Sequence, residues 1–269
     1  MAVAFTLIPL VTMHATVLAK ITVKCPVCGE ENVFWSFAGW GDYLYYYPSR
    51  YQMVFFPQTY PTALWTCKKC HYTAWGTDFK DLPPEKIAAV RKAVEAAPAL
   101  PAFKEYAEVP MSARMATAEH VYRELGRDDL FWAHFNQVKG YHLGVCGQTE
   151  EAKEARLKAR DLLQKLVADP KYAEQRKGML IALAAMRYYT GDDKAAMETL
   201  AMAATEPNPK RAGDKNDTSF FDKLIAEYKD GIKSNSVPND KQSVNLLPGI
   251  DTEHGLRGAT EEQIWTVRA

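Results

Sequence analysis

The chain has 269 residues, enough for one large or two modest domains. Its 33 basic and 33 acidic side chains cancel, so it carries no overall basic footprint, and nucleic acid is not an expected partner. A hydrophobic content of 47% is ordinary for a globular protein, and beyond the first 19 residues no apolar run is long enough to span a bilayer.

Residues 1–19 read as an export signal. Met1 to Ala19 contains no charged residue, Phe5 to Val11 supplies an apolar centre, and Val17-Leu18-Ala19 presents small or modest side chains at the recognition positions. Cleavage after Ala19 would leave an exported protein, periplasmic or extracellular, with no membrane anchor. No Lys or Arg precedes the apolar run and His14 interrupts it; the alternatives are an uncleaved anchor, though the run is short for spanning a bilayer, and a cytoplasmic chain.

Lys20 to Lys24 alternates Ile21 and Val23 with polar neighbours, as a strand does. It leads into Cys25-Pro-Val-Cys28-Gly29, which is matched 38 residues later by Cys67-Lys-Lys-Cys70-His71. Two C-x-x-C pairs at this separation have the arithmetic of a zinc ribbon, in which each pair forms a knuckle and four thiolates surround one ion. The residue after the second cysteine of a knuckle favours positive φ, which Gly29 adopts freely and His71 tolerates better than most side chains. Cys25, Cys28, Cys67 and Cys70 are therefore expected to hold one structural zinc. Disulfides remain a second reading of the four. A third is c-type haem on Cys67, Cys70 and His71, because C-x-x-C-H is also a haem-attachment sequence. Lys24, Lys68 and Lys69 are expected to offset the charge of the thiolates.

Between the knuckles the composition shifts. Thirteen of the 32 residues from Phe34 to Trp65 are aromatic, broken by Gly39, Gly41, Pro48, Pro57 and Pro61. A zinc ribbon has little core of its own, so the insertion is expected to supply packing surface, with a ligand groove as the other reading. Leu64 to Thr66 and Tyr72 to Trp75 read as strands flanking the second knuckle.

After Pro83-Pro84 the pattern turns helical. Glu85 to Ala97 opens behind two prolines, and a proline-marked linker follows to Pro110. Met111, Met115, Ala118, Tyr122 and Leu125 recur at helical spacing before Gly126. Asp128 can cap a helix carrying Phe131, Trp132, Phe135, Val138 and Tyr141. Thr149 opens the next, with Ala152, Ala155, Ala159, Leu162, Leu163 and Leu166 on one face. Asp169-Pro170, Met179 to Tyr189, and Asp193 to Ala204 continue the array, and Asp217 to Ser234 closes it. Around Gly191 the residues resemble a tetratricopeptide repeat: Leu183-Ala184, the turn Gly191-Asp192, then Ala196, Leu200 and Ala203. Arg187 stands where that pattern expects an aromatic, and a generic helical bundle is the other reading.

The fold expected is α+β, mostly α. It comprises a small β zinc-ribbon domain with an aromatic insertion (20–82), an antiparallel tetratricopeptide-like helical domain (83–232) and an irregular tail (233–269), laid on the helices through Leu246, Leu247 and Trp265. Lys24 to Gly29, Trp65 to Ala74 and the helices from Met111 to Ala204 together resemble a bacterial family catalogued as domain of unknown function 2225. The second knuckle of that family usually reads Cys-Pro-x-Cys-Gly-Tyr-x-Ala. Here Cys67-Lys68-Lys69-Cys70-His71-Tyr72-Thr73-Ala74 keeps the cysteines, Tyr72 and Ala74 and loses the proline and glycine. The resemblance implies the architecture and a metal site but supplies no reaction.

No catalytic constellation stands out. The six histidines are scattered; His134 and His142 lie eight apart on one predicted helix, the wrong separation for a metal pair. Cys146 reads as core filling. A zinc held by four cysteines keeps no open position for substrate or water. The chain is thus expected to be a non-catalytic module that binds a protein or peptide on a helical face drawn from 128–146 and 170–190. An electron carrier, or an enzyme with its site in the aromatic insertion, are the alternatives.

Overall fold

The computed structural model describes residues 17–39, 45–209 and 220–243. Residues 1–16 of the expected signal, and Leu246, Leu247 and Trp265 of the tail, lie outside the described residues. Two antiparallel strand pairs form the head. Strands β1 (Val17–Lys24) and β2 (Glu31–Gly39) pair from Lys24↔Glu31 to Val17↔Gly39, and β3 (Leu64–Thr66) pairs with β4 (Thr73–Trp75). Strand β1 thus begins three residues before the expected cleavage point, and Ala19 pairs with Ser36.

Eight helices follow among the described residues: α1 (Gly76–Lys80), α2 (Ile87–Ala96), α3 (Met111–Leu125), α4 (Asp129–Val145), α5 (Thr149–Leu166), α6 (Arg176–Tyr188), α7 (Asp193–Thr205) and α8 (Phe220–Ser234). Their ends follow the local chemistry. Asp128 caps α4 by accepting from Phe131 N–H, and Asp192 caps α7 by accepting from Ala195 N–H. Gly126 ends α3 in the left-handed region at φ 66°. Asp169 caps a 3-10 turn over Pro170–Gln175 rather than α6 itself, so α6 starts later than the Asp-Pro signal suggested. Short connections join α4 to α5 and α6 to α7 as helical hairpins, with Ala152, Ala159, Ala184 and Ala196 fully buried where the paired helices meet.

The expected boundary at 82/83 is not a break in the core. One buried cluster runs from Cys25, Phe34 and Trp65 of the head through Phe79 and Val90 to Met115, Tyr122 and Phe135. Phe34 stacks on Trp65 at 4.6 Å and meets Phe79 and Tyr106 edge-on. Most of the aromatic insertion is therefore packing. Polar ties cross the same boundary: Tyr122 Oη accepts from Trp75 N–H at 2.9 Å and donates to Asp78 at 2.8 Å. Arg114, fully buried on α3, donates to the carbonyls of Val109, Pro61 and Leu64 at 2.7–2.9 Å. A second cluster holds α5 to α8, with Met53 of the insertion and Val237 beyond α8 added to it.

Candidate metal centre

The four predicted cysteines converge. Cys25 Sγ lies 3.6 Å from Cys70 Sγ, Cys28 Sγ lies 3.6 Å from Cys67 Sγ, and all four sulfurs fall within 4.8 Å of one another. A tetrahedral ion with Zn–S bonds of about 2.3 Å places its sulfurs about 3.8 Å apart, so the donor set and its size suit one zinc-like ion. Local backbone makes this possible. In the first knuckle Gly29 N–H donates to Cys25 C=O at 2.8 Å, and in the second His71 N–H donates to Cys67 C=O at 3.0 Å. Gly29 (φ 74°) and His71 (φ 61°) both turn left-handed at equivalent positions, as the spacing implied.

Packed this closely, the thiols shift one another's titration in opposite directions. Hydrogen bonding from Cys25 and Cys70, with backbone amides of Cys70 and Lys69, drives the Cys67 thiol far below its ordinary range. The neighbours that donate keep their protons: Cys25 is pushed up to about 12 by its hydrogen bond to Cys67, and Cys70 is pushed up by Cys25, Cys67 and burial. One thiolate is welcome; four are not until a divalent ion neutralises them and releases the protons.

The three lysines pair with carboxylates beside the knuckles. Lys68 and Lys69 reach Glu30 at 3.3 and 3.8 Å, and Lys24 reaches Glu31 at 3.9 Å. The thiolates are served from closer in by Asn32, which the sequence reading missed. Asn32 is buried, and its amide donates to Cys67 Sγ at 3.5 Å and to Glu30 C=O at 2.9 Å while its oxygen accepts from Lys68 N–H at 2.8 Å. One side chain thereby ties the two knuckles together. Arg91 of α2 adds a bond to Val27 C=O at 2.7 Å.

The haem alternative asks Cys67 and Cys70 to face away from the first pair. Both instead point at Cys25 and Cys28, Cys67 is fully buried, and the His71 ring stacks on Phe103 at 5.7 Å. No disulfide joins any of the described cysteines.

Among the described residues, the two helical histidines belong to no cluster of metal-ligand side chains. His142 is buried, and its Nε2–H donates to Gln58 C=O at 2.7 Å; burial pushes its pKa down to about 4. His134 lines a cleft of about 540 Å³ where the insertion meets α1 and α4, beside Trp35, Phe37, Trp65, Trp75 and Phe131. The expected inner face of 128–146 is covered by the chain itself: Gln137 donates to the carbonyls of Gln52 and Met53.

Fold and site together define a class, a head with a four-cysteine cluster able to hold one metal ion, fused through a shared core to helical hairpins. Residues 18–120 match the family described as an uncharacterized protein conserved in bacteria (DUF2225), the one that the knuckles resemble. The matched span ends within α3, so it takes in the head and leaves out the later hairpins. No curated protein and no solved structure matches the chain. No helix of the described residues is long and apolar enough to cross a membrane.

Proposed function

We propose that the chain is a non-catalytic interaction module in which one structural zinc on Cys25, Cys28, Cys67 and Cys70 fixes the head, and the helical hairpins receive a protein or peptide. The observation that carries this reading is the closed donor set: four protein sulfurs converge and leave no coordination position for substrate or water. Paired helices stacked through small residues are the kind of surface on which tetratricopeptide-like arrays bind extended segments. Export with cleavage after Ala19 belongs to the same reading, and removes the first three residues of β1.

Native and denaturing intact mass of the protein made in a bacterial host tests the metal and the export. One zinc lost on denaturation, with residues 1–19 absent, is the expected result. A haem mass that survives denaturation, or a metal-free mass short by two or four hydrogens, would overturn the zinc assignment. A photo-crosslinker at Met202, an exposed apolar residue of α7, should trap one defined partner. Zinc-loaded protein that traps none sinks the module.

A second reading, a small-molecule site in the insertion, is favoured by the tryptophan-lined cleft, to which Lys80, Asp81 and His134 bring polar groups. A ligand seated there must change tryptophan fluorescence or melting temperature. A compound screen that moves neither removes this reading.

A further inference from the structure

Beyond α8 the chain runs back across α4, α5 and α6 as an irregular segment, residues 235–243. It is held in the manner of a bound peptide. Two hydroxyls grip its backbone: Tyr189 donates to Pro238 C=O, and Tyr141 donates to Ser243 C=O at 3.2 Å. One apolar side chain, Val237, is buried against Gly231. One acidic side chain, Asp240, reaches a guanidinium at the floor of the groove.

That guanidinium is Arg156 of α5, only 2% exposed. Its Nη1 donates to Asp240 Oδ2 at 3.0 Å, its Nη2 donates to Asp240 Oδ1, and Nη2 also donates to Gln52 Oε1 at 3.0 Å. Gln52 Nε2 completes the clamp by donating to Asp240 Oδ1 at 3.0 Å. Tyr189 lies under the cation at 5.0 Å. Among the described residues Asp240 is the one carboxylate on Arg156. Helix α4 is cut away to admit both groups. A Cβ at Gly140 would stand 2.7 Å from Arg156 Cγ, and one at Gly144 would stand 2.5 Å from Asp240 Cγ. Glycine inside a helix is destabilising, so the space is kept at a cost to α4.

A buried ion pair of this kind adds little net stability, because desolvation offsets its attraction; its better use is selection. Emptying the groove would take from Arg156 its carboxylate partner, so the site favours a carboxylate on whichever segment enters. We propose that this groove is a receptor for an extended segment bearing an apolar residue and, three positions on, an aspartate or glutamate. Val237-Pro238-Asn239-Asp240 fills it as a tethered stand-in that a partner's acidic segment must displace. This deepens the interaction-module reading, on which it rests, by giving the site and the chemistry of the partner.

The test uses the full chain and, as probe, a fluorescein-labelled peptide with the sequence of residues 235–244. Asp240→Ala frees the groove, and this variant should bind the peptide. The wild type should bind it at least ~100-fold more weakly, because the tethered segment competes at a local concentration on the order of millimolar. Adding Arg156→Gln to Asp240→Ala, or replacing the peptide's aspartate by alanine, should abolish binding. A folded Asp240→Ala chain that does not take the peptide would make residues 235–243 a fixed strap and overturn the receptor, while crosslinking at Met202 would still decide the module itself. If Asp240→Ala does not fold, hydrogen exchange of the wild type decides. Amides of 236–243 should exchange well before those of α4 and α5, and exchange only with global unfolding would overturn the proposal.

Discussion

Strands β3 and β4 are three residues long and β1 pairs with β2 alone, whereas α5, α6, α7 and α8 are 18, 13, 13 and 15 residues long and bury a continuous apolar cluster. Two-stranded ribbons of that size are marginal in water, while amphipathic helices that meet along their apolar faces are not. The head therefore depends on point chemistry: four sulfurs at fixed spacing, two left-handed residues after the knuckles, one asparagine between them. The array depends on periodicity, which many residues share. A single substitution should accordingly break the head and only dent the array.

The largest expected effect follows. Cys25→Ser should lose the ion, and with it a binding energy of about 10–16 kcal/mol in isolated zinc fingers, which is folding energy for so small a unit. Amide protection should vanish from β1 to β4, and α1 to α3 should weaken because they share the head's core. Helices α5 to α8 should keep their circular dichroism signal. Loss of most helical signal would mean that the two clusters unfold as one, and the contrast between the regions would fail.

Next in size is Arg114→Ala, at the weld between the insertion and α3. It removes a buried cation and its bonds to the carbonyls of Pro61, Leu64 and Val109, of which Pro61 keeps the bond from Leu64 N–H. A loss of about 3–5 kcal/mol is expected in urea unfolding. A loss below about 1 kcal/mol would show the weld to be apolar instead.

What could be read from the sequence divides along the same line. The cysteines, Gly29, His71 and the helix cap at Asp128 were legible because each is a local rule with a fixed spacing. The small residues of the hairpins were legible through period. Asn32 was not: nothing near it in sequence says that it reaches Cys67, 35 residues away, and bridges the knuckles. Arg114 and Arg156 were invisible as buried residues because a lone arginine on a helix ordinarily reads as solvated. Their partners, Pro61 and Asp240, lie 53 and 84 residues away. The inner face assigned to 128–146 was misjudged for the same reason, since its cover comes from Gln52, Met53 and the segment beyond α8.

His142 gives a pH-dependent view of the weld. Burial holds its pKa near 4 against an ordinary 6.5, and Arg114 pushes the same way while the Gln58 carbonyl opposes them. Above pH 6.5 the ring is neutral folded or unfolded, and its contribution is complete. As pH falls toward 4 the unfolded chain takes up a proton that the folded chain refuses. Stability should drop by roughly 3 kcal/mol across that window. His142→Gln should flatten this part of the profile. The comparison must be between the two proteins at each pH, because acid also competes with metal for the thiolates. Parallel profiles would place the acid sensitivity elsewhere.

The smallest effect separates positioning from packing inside the head. Asn32→Ala leaves Lys68 N–H and Glu30 C=O without their side-chain partner and takes one donor from Cys67. Zinc affinity, measured by competition with a chromogenic chelator, should fall about 10–100-fold, and stability by about 1–2 kcal/mol. Asn32→Asp makes the sharper test. Its carboxylate can still accept from Lys68 N–H, but it faces Cys67 Sγ from 3.5 Å as a second negative group. If the amide serves the sulfur, aspartate should hold zinc less well than alanine. Should aspartate match the wild type, Asn32 is only a turn cap, and the knuckles are joined by their ion alone.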